Sequence, residues 1–255
     1  FYLKPDFGKM KEAGLGEAIF AAMGQSFFTL SIGIGALAIF GSYIGKEKRL
    51  TGEAISITLL DTSVAFMSGL IIFPACFAYG IEPTSGPSLI FITLPNVFNH
   101  MAGGQLWGAL FFVLVLFAAL TSSISLMETI VSIVQDRLHW NRKLSTVIIT
   151  LFTLAVALPS SLGFGRWSDI QPLGMSFLDF FDFISNSVLM PIVAFLTCVF
   201  VGFVVKPKTV IDEVKLNSSF GREKLFVIMI KYVSPICLIV ILVSSILNAL
   251  GIITI

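Results

Sequence analysis

The chain has 255 residues, of which 56% are hydrophobic and 12% charged, with a formal net charge of +1 and a mean hydropathy of +0.96. These values exclude an ordinary water-soluble domain and fit a polytopic helical membrane protein. The near-zero net charge gives no basic field for nucleic acid, and Cys76, Cys198 and Cys237, scattered through apolar stretches, form neither a disulfide framework nor a metal-ligand spacing.

Residues 1–16 read as a polar surface loop with a turn at Pro5–Asp6; there is no signal-peptide pattern and no initiator methionine, so the chain reads as a piece of something longer. The first span is predicted over about 17–43, followed by the charged loop GKEKRL, and the second over about 54–80. Residues 81–105 are cut by Pro83, Pro87, Pro95 and paired glycines. None of their apolar pieces reaches the roughly 20 residues a span needs, which predicts an outer re-entrant helix-turn-helix loop. Further spans are expected over about 106–136, 144–162, 176–204 and 226–254, the first of these long enough to be tilted or to extend beyond the bilayer. The whole is expected to be one transmembrane domain.

Lysine and arginine placement sets the orientation. One set of loops carries Lys46, Lys48, Arg49, Arg137, Arg142, Lys143, Lys206, Lys208, Lys215, Arg222 and Lys224; the opposite set carries only Lys4, Lys9, Lys11 and Arg166. The richer set is cytoplasmic, so the first span descends from outside to inside.

The centre of that first span reads Thr29, Ser31, Gly33, Gly35 within GQSFFTLSIGIGALAIFGSY, which is poor helix material. A glycine costs about 1 kcal/mol in a helix interior relative to alanine, and hydroxyls compete for backbone hydrogen bonds. Such a stretch is either a small-residue packing face or a helix unwound at the membrane midplane, where free carbonyls and a half-helix N-terminus can hold small ions. Asp61 lies well inside the second span, on a face with Thr58 and Ser68 and with Ala65 between them. A carboxylate there is costly unless a cation, donor or proton compensates it; the plainer reading is a hydrogen-bonded or protonated structural aspartate. In the third span Ala118, Thr121, Ser122, Ser125 and Glu128 recur at three and four residues and so share one face. Paired hydroxyls beside a carbonyl can cage a hard monovalent cation, although serine and threonine also back-bond to their own helix.

The motifs GQSFFTLSIGIGA, LLDTSVAFMSGLIIFP, FAALTSSISLMETI and SFLDFFDFISN, in that order, resemble the neurotransmitter:sodium symporter family, whose bacterial members include the leucine transporter. The resemblance covers the family's sixth to eleventh helices. It implies an all-α inverted-repeat membrane fold whose first five helices are supplied by the rest of the same protein, with substrate and ions between the repeats.

Residue by residue, the resemblance implies a sodium ligand in the Thr29 hydroxyl, an aromatic lid in Phe28, and an unwound segment from Ser31 to Gly35, including Gly33 and Ile34, that holds the substrate's amino group. Gln25 and Asp61 match the neighbourhood of the chloride site in chloride-dependent members, with Asp61 at a sodium-ligand position that is often asparagine. Ala118, Thr121 and Ser122 match a second sodium site, so two sodium ions are expected. Ser122, Ser125 and Leu126 complete the pocket. Asp182 matches the outer-gate acid, and Ser42, Tyr43, Glu128 and Asp136 match the inner-gate network; the arginine partners of both gates are expected on the absent helices.

The expected function is therefore a sodium-coupled amino-acid symporter of the cell membrane working by alternating access. It is expected to need no chloride and no enzyme chemistry, and to carry a hydrophobic or aromatic amino acid, since Ile34 stands where some members have phenylalanine. A proton-coupled carrier of the same fold and a non-transporting sensor remain as alternatives. A membrane aspartyl protease fails on depth: Asp136 falls at the inner end of its span and Asp182 near the outer end of its own, neither level with Asp61.

Overall fold

The computed structural model describes residues 3, 7–12, 14–81 and 88–249. Regular structure among them is helical throughout. After a short helix, α1 (Phe7–Glu12), the first expected span is two helices, α2 (Leu15–Thr29) and α3 (Ala36–Tyr43), with the chain unwound between them. Five helices are long and apolar enough to cross a membrane: α4 (Leu50–Ala78), α6 (Gly104–Leu138), α7 (Arg142–Leu162), α8 (Phe177–Val205) and α10 (Glu223–Ala249). Two shorter ones are α5 (Leu94–His100) and α9 (Pro207–Lys215). At 1.5 Å per residue, the 35 residues of α6 exceed the roughly 30 Å hydrocarbon core. The expected end of the last span, 250–254, lies outside the described residues, as do 82–87 of the outer loop. The remainder of that loop is a π-helical turn, Leu89–Thr93, running into α5, then a bend at Gly103 (φ +70°) into α6.

The chain divides into two compact units, Ile55–Leu126 together with Phe1–Phe7, and Gly8–Ala54 together with Met127–Ile255. In the first, α5 folds back on the start of α6. Phe98 meets Phe111 with ring centroids 5.5 Å apart, Phe91 stacks on Phe112 at 6.4 Å, and Tyr79 stacks on His100 at 6.2 Å. In the second, α2, α8 and α10 share a core of Phe27, Met190, Ala194, Cys198, Leu238 and Ile241, with Met23, Ile34, Phe195 and Ile230 packed against it. Local caps set the helix starts: the Asn141 side chain accepts the Leu144 N–H at 2.8 Å to open α7, and Ser176 accepts the Asp179 N–H at 3.2 Å to open α8.

Four π-helical turns interrupt these helices, at Leu89–Thr93, Phe183–Leu189, Phe200–Val205 and Met229–Val233. Each ends two residues before a proline, namely Pro95, Pro191, Pro207 and Pro235. A proline ring clashes with the carbonyl four residues back and offers no N–H to it. At Pro95, Pro191 and Pro235 a wider turn just ahead of the ring moves that carbonyl aside and the helix continues, whereas at Pro207 it does not, because Lys206 (φ +70°) ends α8 there.

Candidate functional site

The broken stretch between α2 and α3 is set by three residues in the left-handed region, Ser31 (φ +53°), Gly33 (φ +94°) and Gly35 (φ +88°). Glycine adopts such angles without the Cβ penalty. Space requires it as well at one position: a Cβ on Gly33 would lie 2.6 Å from the Met190 carbonyl oxygen of α8. At Gly35 a Cβ would lie 3.6 Å from Cγ2 of Thr129, a buried residue of α6. The unwound chain is thus held between α8 and the second unit's part of α6.

Its backbone bonds are few. The Ser31 N–H donates to the Phe28 carbonyl at 2.9 Å and the Ile32 N–H to the Phe27 carbonyl at 3.3 Å. The carbonyls of Leu30, Ile32, Gly33 and Ile34 receive no hydrogen bond from any described residue. Within a membrane such groups are tolerated only where protein or a polar cavity surrounds them. They can accept an ammonium or ligate a hard cation, and the N-terminus of α3, immediately below, favours negative charge.

The residues expected to form the ion and substrate site fall into both units. Gln25, Phe28, Thr29, Ser31, Gly33, Ile34 and Gly35 belong to the second; Asp61, Ala118, Thr121, Ser122, Ser125 and Leu126 belong to the first. In the second, Gln25 and Phe28 are exposed, and the Thr29 hydroxyl donates to the Ser26 carbonyl at 3.4 Å. In the first, Asp61 is half-buried, and its carboxylate makes no ion pair or side-chain hydrogen bond with a described residue. Thr121 donates to the carbonyls of Phe117 and Ala118 at 3.1 and 3.0 Å, and Ser125 donates to that of Thr121 at 2.9 Å. Ser122 and Leu126 are exposed. Back-bonding and ion ligation are compatible, because a hydroxyl that donates its proton keeps its oxygen lone pairs. At the Ala118 carbonyl an ion would share the oxygen with the Thr121 hydroxyl.

The structure does assemble one polar cluster, where α3, α6 and α7 meet. The Tyr43 hydroxyl donates to Glu128 Oε1 at 2.8 Å and lies 3.1 Å from the Ser132 hydroxyl. Arg142 grips the same carboxylate with both guanidinium ends, Nη1 to Oε1 at 3.1 Å and Nη2 to Oε2 at 2.6 Å. The Glu128 side chain is 17% exposed and that of Arg142 63%, so the arginine caps the acid from the solvent side. Ser42 and Asp136, also expected here, line the adjoining cavity of about 250 Å³ with Ile39 and Gln135; the Ser42 hydroxyl donates to the Ile39 carbonyl at 2.6 Å. Asp182 accepts from the Asn186 side chain one turn further along α8.

Arg142 and Ser132 are the members of this cluster that sequence reasoning missed; Arg142 served only to orient the loops. A signal was available. Only residues 139–141 separate α6 from α7, so the first residue of α7 stands beside the inner end of α6, where an acid needs a partner. Replacing the arginine tests its capping role. In the complete protein, Arg142→Gln leaves Glu128 only neutral donors, and the cavity beside it is expected to open. A cysteine placed by Ser42→Cys should then react several-fold faster with an impermeant thiol reagent added from the inner side, compared with Ser42→Cys alone. Equal rates would show that the pair does not close this cavity.

Comparison with known proteins follows the same pattern. A family model described as "SNF: Sodium:neurotransmitter symporter family" matches residues 1–252. An uncharacterized sodium-dependent transporter of Haemophilus influenzae is 36% identical over 96% of this chain and 53% of its own length. The uncharacterized sodium-dependent transporter YhdH of Bacillus subtilis is 33% identical over 100% of this chain and 55% of its own. The chain therefore spans about half the length of the curated relatives it matches. Among solved structures, MhsT in complex with L-phenylalanine superposes with a TM-score of 0.83 at 35% identity, over 94% of this chain and 54% of that one.

Proposed function

This chain belongs to the sodium:neurotransmitter symporter family, and from that premise we propose that the complete protein is a sodium-coupled amino-acid symporter working by alternating access. The observation that carries the reading is the break between α2 and α3. Four carbonyls that receive no hydrogen bond from a described residue stand next to a helix N-terminus, an arrangement that offers oxygen to cations and an electropositive end to a carboxylate. A zwitterionic amino acid accompanied by sodium presents both charges.

In this reading Thr29 and Asp61 ligate one sodium ion, and Ala118, Thr121 and Ser122 a second. Phe28, Ser31, Gly33, Ile34, Gly35, Ser122, Ser125 and Leu126 bound the substrate. The side chains among these are chiefly apolar with hydroxyls, which suits a hydrophobic or aromatic substrate, and MhsT was solved with L-phenylalanine. The upstream helices of the same protein would supply the remainder of the pocket. Phe28 and Asp182 act at the outer gate. The inner one is Tyr43, Ser42, Glu128 and Asp136, now with Arg142 on the carboxylate. Asp61 supplies fixed negative charge beside the ion, with Gln25 as its neighbour in the site, so chloride is not required.

The experiment that tests this reading is the pair Thr121→Val with Ser122→Ala in the complete protein, which removes two oxygen ligands at nearly constant volume. Sodium affinity is expected to fall. Substrate affinity measured at fixed sodium falls with it, because ion–substrate coupling is reciprocal, with typical factors of about 5 to 150. Unchanged sodium dependence of substrate binding would remove the second ion from these residues.

A further inference from the structure

Lys231 lies eight residues into α10, roughly 12 Å along its axis from Glu223. Among the described residues it is the one basic side chain set more than two turns inside a membrane-length helix. Nothing in the transport reading uses it. Its ammonium rests 5.5 Å from the centre of the Phe203 ring of α8. Its stem crosses α8 at Gly202, a buried position where a Cβ would meet Lys231 Cγ at 3.4 Å. Both contacts fall where the π-helical turns Phe200–Val205 and Met229–Val233 face each other. Among the described residues the ammonium has no carboxylate partner, the two ion pairs there being Arg142 with Glu128 and Lys215 with Glu223.

An unpaired ammonium inside a span is costly and turns toward whatever anion the interface provides. The aromatic face offsets part of that cost but does not neutralise the charge. This end of the seam is the lysine-rich one, since α8 runs into Lys206 and Lys208 while Arg222 and Lys224 mark the start of α10. By the positive-inside rule it faces the cytoplasmic leaflet.

We propose that Lys231, seated over Gly202 and resting on Phe203, binds the phosphate of an anionic phospholipid of the inner leaflet. The depth of the lysine favours a lipid over a free anion. A phospholipid delivers its phosphate to the edge of the hydrocarbon layer with its acyl chains already in apolar surroundings, and the exposed Phe203 and Val204 provide apolar contact for them.

The test uses the complete protein in detergent, titrated with phosphatidylglycerol or phosphatidylcholine, with bound lipids counted by native mass spectrometry. The wild type is expected to bind the first phosphatidylglycerol at about fivefold lower concentration than phosphatidylcholine, the effect of one lysine near an anionic surface. Lys231→Met keeps the apolar stem and should abolish that preference; Lys231→Arg should retain it. Gly202→Leu leaves the charge but fills the notch, and should weaken the preference through the seat alone. A wild type without preference, or Lys231→Met with the wild-type preference, overturns the site. Displacement of phosphatidylglycerol by millimolar inorganic phosphate would make it a free-anion site and overturn the lipid assignment.

Discussion

Gly33→Val in the complete protein is expected to abolish uptake and to lower the unfolding temperature more than a valine at any other glycine of the broken stretch. Two costs combine. An L-residue at a left-handed angle costs about 1–2 kcal/mol, and β-branching makes that worse. In addition, a Cβ would stand 2.6 Å from the Met190 carbonyl oxygen, and a main-chain atom of a packed helix cannot swing away as a side chain can. Gly35 separates the two costs, because its angle is similarly left-handed but a Cβ there would meet only a methyl group of Thr129, at 3.6 Å. Gly35→Ala therefore carries the backbone strain alone, whereas Gly33→Ala carries strain and collision. Thermal unfolding of the two alanine variants is the measurement. Equal losses would mean that the approach of the unwound chain to α8 does not limit stability.

Uptake by the complete protein is expected to persist when chloride is replaced by gluconate, and to fall sharply in Asp61→Asn. A sodium ion beside a zwitterionic substrate in a low-dielectric site needs a nearby negative charge. In the proposed site Asp61, half-buried and without an ion-pair partner among the described residues, supplies it. Asparagine keeps an oxygen ligand but removes the charge, so the sodium dependence should shift to higher concentration rather than vanish. Added chloride restores part of the uptake if Gln25 and Thr29 can hold the anion. Uptake against sodium concentration, with and without chloride, separates the cases. A wild type inactive in gluconate would remove the proposed role of the carboxylate whatever the mutant does.

The break in the first span was legible only in part: two glycines and two hydroxyls in seven residues disfavour a helix, but composition alone left a small-residue packing face open, and the resemblance chose between the two. The hydroxyl face of α6 was legible, since helical periodicity alone places Thr121, Ser122 and Ser125 together. Arg142 was not legible as the partner of Glu128. Fourteen positions separate them, no single helix relates them, and their meeting depends on how tightly the chain turns between α6 and α7. The prolines inside the later spans were not read at all. Pro191 and Pro235 each announce a disturbed helix, but whether the disturbance is a kink or an added residue depends on the packing of α8 against α10, which periodicity does not contain.

Those added residues change how α8 is to be drawn. One extra residue in a turn advances the following helix by about 100°, so a helical wheel drawn through all of α8 superimposes positions that point in different directions. The segment Phe177–Asp182 and the segment Met190–Val199 are out of phase across the turn at Phe183–Leu189. The bearing of Asp182 relative to Met190, the residue against which Gly33 rests, is thus fixed by a count of residues rather than by any side chain between them. A single-residue deletion there would turn Asp182 by about 100° relative to Met190, and with it Phe177, whose ring centroid lies 5.9 Å from that of Trp167, so the aromatic packing of this segment would have to be remade.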